Sequence, residues 1–124
     1  MNQKTTTKTY AVAILDMFHY QDPEHEYEVD GFSSLEHATE YARRRVRDSV
    51  EDFRDNGKPE NELGFYWHQF GEDAVVLGGN YAGGSELEYF IANPATPEER
   101  DWKSIEPPLE NTPGLNEPQS AELA

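Results

Sequence analysis

Residues 33–57 read SSLEHATEYARRRVRDSVEDFRDNG, and this stretch decides the fold. Leu35, Ala38, Ala42, Val46, Ser49, Val50 and Phe53 recur at three- and four-residue steps. That is one stripe of a helix, and the stripe needs an apolar surface to lie on. Ser33 and Glu36 have the spacing of a capping box, in which each side chain accepts a hydrogen bond from the other residue's backbone N–H. Asn56-Gly57 supplies the stop, because glycine tolerates the left-handed backbone that ends helices. The spacing predicts a helix over 34–55.

The surface for that helix is read from the flanks. In 10–20, Tyr10, Val12, Ile14, Phe18 and Tyr20 alternate on one face, broken only by Asp16, while Ala11, Ala13, Leu15, Met17 and His19 form the other. Alternation with two partly apolar faces predicts an interior strand. Gln21-Asp22-Pro23-Glu24 reads as a turn. With Pro23-Glu24 as the loop, Tyr20 pairs with Tyr27 and Phe18 with Val29, so apolar residues meet on one face. Beyond the helix, residues 59–70 fit either a short helix or a strand. Residues 73–77 and 87–92 read as two further strands, joined by the loop GGNYAGGS at 78–85. Thr96-Pro97-Glu98-Glu99 is a second capping-box pattern and predicts a short helix to about Lys103.

The expected architecture is therefore α+β. A four-stranded antiparallel sheet carries the long helix across one face, with short extra helices, in a single domain over 9–103. Residues 104–124 hold four prolines, four glutamates and no aromatic residue, which predicts a disordered acidic tail. The chain has 124 residues and no cysteine, excluding disulfides and thiolate chemistry. No apolar run approaches the length of a membrane span, and residues 1–10 have no signal-peptide pattern. A cytoplasmic protein is expected.

The charge comes in blocks. The net charge is −15, yet residues 9–42 hold eight acids and no Lys or Arg, and residues 59–99 repeat that count. Residues 43–58 hold six of the ten bases. A field of this sign repels nucleic acid and anionic membrane and steers basic surfaces inward. Glu24, Glu26, Glu28 and Asp30 alternate with His25, Tyr27 and Val29, so on a strand they share one face at about 6.5–7 Å intervals, with Glu24 dropping out of the row if it falls in the turn. Glu86 and Glu88 repeat the alternation in the last expected strand, making a second acidic row. Such rows imitate the phosphates of a nucleic acid strand. An ordinary wet sheet face mixes Lys with Glu because like charges repel across strands, and these rows contain no base. Adaptation to high salt gives the same pattern.

Other chemistry is thinner. Arg43, Arg47 and Arg54 fall on one side of the helix, but Glu40–Arg44 and Arg47–Glu51 stand at pairing distance, which favours structure over ligand binding. His19, His25, His37 and His68 have no metal-site spacing, although His19 is placed to face Glu28 across the hairpin. The glycine loop matches no phosphate-binding motif, and nothing implies a cofactor. Asp16 is the one acid whose pattern suggests burial and a raised pKa, the starting point for an enzyme or ligand site. Around the dense aromatic run Phe65-Tyr66-Trp67-His68-Gln69-Phe70, core packing is expected for Leu63, Trp67 and Phe70, leaving Phe65 and Tyr66 as a contact patch.

The expectation that follows is a non-enzymatic acidic binding protein whose partner is basic. In its sharpest form it is an inhibitor that mimics nucleic acid to block a nucleic-acid-binding protein, as phage anti-defence proteins do. The alternatives are a regulatory or adaptor module binding through the aromatic patch, and a small enzyme or ligand-binding domain using Asp16. The sequence leaves the oligomeric state open.

Overall fold

The computed structural model describes residues 9–19 and 22–105. The long helix, α1, spans Leu35–Asp55, and at ~1.5 Å per residue it is about 32 Å long. Ser34, rather than Ser33, caps it: the Ser34 hydroxyl accepts the His37 N–H at 3.0 Å, a bond worth about 1 kcal/mol. Gly57 follows with φ +88°, the left-handed position that stops the helix. Ala38, Tyr41, Ala42, Val46 and Val50 are buried along its inner face.

That face lies on a sheet of three strands, not four, in the order β2-β1-β3. β1 is Tyr10–Asp16, β2 is Glu26–Phe32 and β3 is Glu72–Leu77, and β1 pairs antiparallel with both neighbours. Val12 and Ile14 of β1 with Ala74 and Val76 of β3 point toward α1 and are fully buried or nearly so. Residues 59–70 resolve as a helix, α2 (Glu60–Phe70), which buries Leu63 and Trp67.

The missing fourth strand is α3, Leu87–Ala92, so the fold class holds while the strand count does not. A strand would have placed Leu87, Tyr89 and Ile91 on one face. Instead Leu87 and Phe90 are buried, three residues apart, and Tyr89 is exposed. Six residues carry both periodicities, and the approach of the preceding turn decides between them. Gly83–Glu86 forms a 3₁₀ turn against α1, where a Cβ on Gly83 would run into the Val46 side chain and the Ala42 carbonyl.

The hairpin also differs from expectation. β1 ends at Asp16, whose carboxylate accepts the Phe18 N–H at 3.0 Å and turns the chain into a 3₁₀ segment, Met17–His19. Asp22 does the same for Glu24, opening a second 3₁₀ turn at Pro23–His25. The strands are joined through residues 17–25, and Tyr27 pairs with Ile14 and Val29 with Val12. The expected partners, Tyr20 and Phe18, are displaced by an even number of residues, so the same faces still meet. Tyr20 itself lies outside the described residues.

At the C-terminal end, the Thr96–Glu99 capping box forms in full. The Thr96 N–H donates to Glu99 Oε1 at 2.9 Å and the Glu99 N–H to Thr96 Oγ1 at 3.2 Å. It opens turns rather than a regular helix, ending in a 3₁₀ segment, Trp102–Ser104. Ile105 still packs on the core, two residues past the expected boundary, and the rest of the expected tail, 106–124, lies outside the described residues.

Candidate partner interface

β2 is an outer strand. Its alternation sends Tyr27 and Val29 to the α1 side, where the Tyr27 hydroxyl accepts Arg45 Nη2 at 2.8 Å. Glu26, Glu28 and Asp30 take the opposite side, and all three are exposed. The cross-strand partners of Glu26 and Glu28 are Leu15 and Ala13, which offer no countercharge. Glu24 is also exposed but sits in the turn ahead of the strand, out of the row. Among the described residues none of these four carboxylates enters an ion pair.

The structure does not bring Glu86 and Glu88 into a second row. Glu86 ends the 3₁₀ turn, where its Oε1 accepts Arg43 Nε at 2.9 Å and the Tyr81 hydroxyl at 2.5 Å. Burial works to raise the Glu86 carboxyl, but the hydrogen bonds from Tyr81 and Arg43 overcome it and hold it below the ordinary value. Burial and the same carboxylate push the Tyr81 hydroxyl well above its usual range. Glu88 is exposed on the first turn of α3.

The arginines are occupied on the other side of the molecule. Arg45, only 6 % exposed, is the centre of a network the sequence reading missed. Its Nε and Nη2 hold the two Glu72 oxygens at 3.0 and 2.9 Å, and its Nη1 donates to the Tyr41 hydroxyl at 2.9 Å. The guanidinium carbon also stands 3.9 Å from the centre of the Trp102 ring. Arg100 holds Asp48, Asp52 and Asp55 at 2.8, 3.0 and 2.8 Å. Arg44 pairs with Glu40 as its spacing suggested, but Arg47 reaches Glu40 rather than Glu51, and Glu51 pairs with Arg54. Each of the six arginines thus meets a carboxylate.

A polar cleft of ≈ 550 Å³ opens between α1 and the ends of β1 and β3, lined in part by Asp16, Tyr27, Asp48, Asp52, Glu72 and Trp102. Asp16 is not buried there. Its side chain is 38 % exposed and lies 2.9 Å from His19 Nδ1. That hydrogen bond, helped by the Phe18 N–H, lowers its pKa, the reverse of the expected shift. Facing Asp16 across β1 and β3 is Glu72, whose pKa burial raises despite Arg45. Two carboxylates pushed in opposite directions suggest an acid–base pair. The Arg45 fork occupies both Glu72 oxygens, however, which makes Glu72 an anchor for Arg45.

His19 faces Asp16 instead of Glu28, and its ring stacks on His25 with centroids 3.7 Å apart. Among the described residues no group of three or more His, Asp or Glu could hold a metal ion. Of the aromatic patch, Phe65 is 64 % exposed, while Tyr66 is half-buried against Phe53 and beneath the Lys58 ammonium. Phe70 leaves the core position expected of it. It is 51 % exposed and packs on the still more exposed Phe18, with ring centroids 5.4 Å apart. No helix of the described chain is long and apolar enough to cross a membrane. No protein-family model, curated protein or solved structure matches this chain.

Proposed function

We propose that the protein is a non-enzymatic acidic binding protein that presents β2 to a basic surface of a partner, with Glu26, Glu28 and Asp30 as the contact row and Glu24 beside it. One observation carries this reading: the six arginines are paired with carboxylates elsewhere, while the β2 acids stand exposed and, among the described residues, without a countercharge. A carboxylate row at about 6.5–7 Å intervals suits Lys and Arg side chains that otherwise contact phosphates. The partner class is therefore a nucleic-acid-binding protein, and the activity is inhibition by occupying its nucleic-acid surface. Glu86 is withdrawn from the contact set because Arg43 and Tyr81 already hold it.

The test is capture from nuclease-treated lysate at low salt, followed by stepwise salt elution and competition with duplex DNA. The expected result is a basic protein that elutes early, is displaced by the duplex, and is not retained by an E26Q/E28Q/D30N variant. Retention unaffected by those three substitutions overturns the reading. A second reading is favoured by the exposed Phe18–Phe70 pair, which gives an adaptor an aromatic anchor. Binding that resists salt but fails in a Phe70→Ala variant would establish it instead.

A further inference from the structure

We propose that the outer edge of β2 takes up an extended basic segment of the partner as a fourth strand. The inference rests on the acidic reading above and specifies how the partner docks. The sheet has two outer edges, and they are finished differently. Along β3, the chain folds back so that the Val76 N–H donates to the Tyr81 carbonyl at 2.8 Å and Ala82 bridges Val75. Along β2, no strand pairs with the outer edge among the described residues. Every second residue of an edge strand turns its N–H and C=O outward, ready to pair with another chain.

The two faces of β2 then set the partner's sequence. On one face Glu26, Glu28 and Asp30 call for Lys or Arg. On the other, a groove of ≈ 370 Å³ runs beside Tyr27 and Val29, walled by Tyr41, Trp102 and Ile105. Arg45 and Lys103 also line it, Arg45 already neutralised by Glu72 and Lys103 near the Trp102 ring. This groove takes apolar side chains. A strand has a two-residue period, so the fitting segment alternates basic and apolar residues. Its length is limited by Gly31, where φ is +96° and the β1–β2 register slips, leaving Glu26–Asp30 as the regular edge.

Charge selects among occupants. A second copy would bring acid rows together. Residues 106–124 carry four glutamates and no base. Residues 1–8, with Lys4 and Lys8, are the one stretch beyond the described domain with the matching sign, so the test includes their removal.

The probes are a fluorescein-labelled peptide KVKVKVK, the same peptide with alternate backbone nitrogens methylated, and the block isomer KKKKVVV. Anisotropy gives their affinities for the full chain at low salt, and amide hydrogen exchange reports on residues 26–30. The alternating peptide is expected to bind tightest and to slow exchange along β2. Methylation removes main-chain donors while keeping charge, and should weaken binding about tenfold or more. The E26Q/E28Q/D30N variant, checked by circular dichroism for an unchanged fold, should lose affinity for all three peptides. Equal affinity for the parent and methylated peptides would overturn strand addition and leave the acidic reading intact. Affinity that survives the triple substitution would overturn both. Failure of the alternating peptide to bind, a stable dimer of the free protein, or binding that emerges only after deletion of residues 1–8 would each overturn a partner strand as the occupant.

Discussion

The α1 side and the outer face of β2 are both rich in acids, and they use them in opposite ways. Around α1, Glu40, Asp48, Glu51 and Asp52 are matched with arginines from the same helix or from Arg100. On β2 the acids have small or apolar cross-strand neighbours and, among the described residues, no base paired with them. The net charge of −15 is therefore unevenly placed: the helix side approaches neutrality and the sheet edge carries an excess. A charge that positions a partner within the fold should be costly to remove. A charge kept for an external partner should be neutral or even costly to keep.

The sharpest break of that contrast is Arg45. An Arg45→Met substitution leaves Glu72 facing an apolar side chain and deprives Tyr27 and Tyr41 of their shared donor. Removing one member of a buried pair costs about 3–5 kcal/mol, and the partial exposure of Glu72 puts the expected loss at the lower end, ~3 kcal/mol. Urea denaturation measures it. The R45M/E72Q double variant should recover part of the loss, because no uncompensated carboxylate remains.

Next in size is Arg100, whose three carboxylates include two well-exposed ones. Arg100→Ala should cost about 1–2 kcal/mol at low salt, the sum of modest exposed pairs, and less at 1 M salt. It should also change the pH dependence. Although the Asp52 side chain is largely exposed, partial desolvation of its carboxyl, then the neighbouring Asp48, raises its pKa above 3.8, against the pull of Arg100. A carboxyl raised in the folded state destabilises the fold when ionised, and that penalty grows as pH rises from 3.8 through the folded value. Without Arg100 the folded value moves higher still, so the variant should regain more stability on acidification than the wild type does.

Asp16 has the opposite sign. Its folded pKa lies below 3.8, so its contribution is present above 3.8 and is lost as pH falls through the folded value. Asp16→Asn should lower the melting temperature slightly at pH 6 and flatten the acid limb below pH ~4. Thermal melts across that range check it, and an unaltered acid limb would show that the His19 contact contributes nothing.

These two regions were legible in the sequence to different degrees. The apolar stripe of α1 and the alternation of β2 are local patterns, and both survive in the structure except at Leu35, the first residue of the stripe, which is exposed. The Arg45 network is not local. Glu72 and Trp102 lie far along the chain from Arg45, and only the packing of β3 and the last turn onto α1 brings them together. Asp16 misled because alternation reports which face a residue takes and not where the strand ends. The same side chain that broke the apolar pattern caps the turn that terminates β1. Leu87–Ala92 was too short for periodicity to separate strand from helix, so the expected second acidic row vanished with the strand. Phe70 belongs to the right helix but to its last residue, beyond the reach of the core.

The smallest expected effect is the one that inverts the sign. In E26Q/E28Q/D30N no ion pair among the described residues is broken, and three like charges along one strand are removed. At about 6.7 Å in water each adjacent repulsion is worth about 0.6 kcal/mol before screening. The triple variant should therefore be more stable than the wild type by a few tenths of a kcal/mol, ~0.5 at low salt, in urea melts where Arg45→Met is strongly destabilised. Added salt should close the gap by raising the wild type toward the variant, since screening relieves the repulsion that substitution removes. A destabilised triple variant would mean that the β2 carboxylates support the fold, and the contrast between the two faces would collapse. A gain in stability joined to a loss of partner binding would mean that the acids are retained at a cost to folding, which is what a surface shaped for an external basic strand requires.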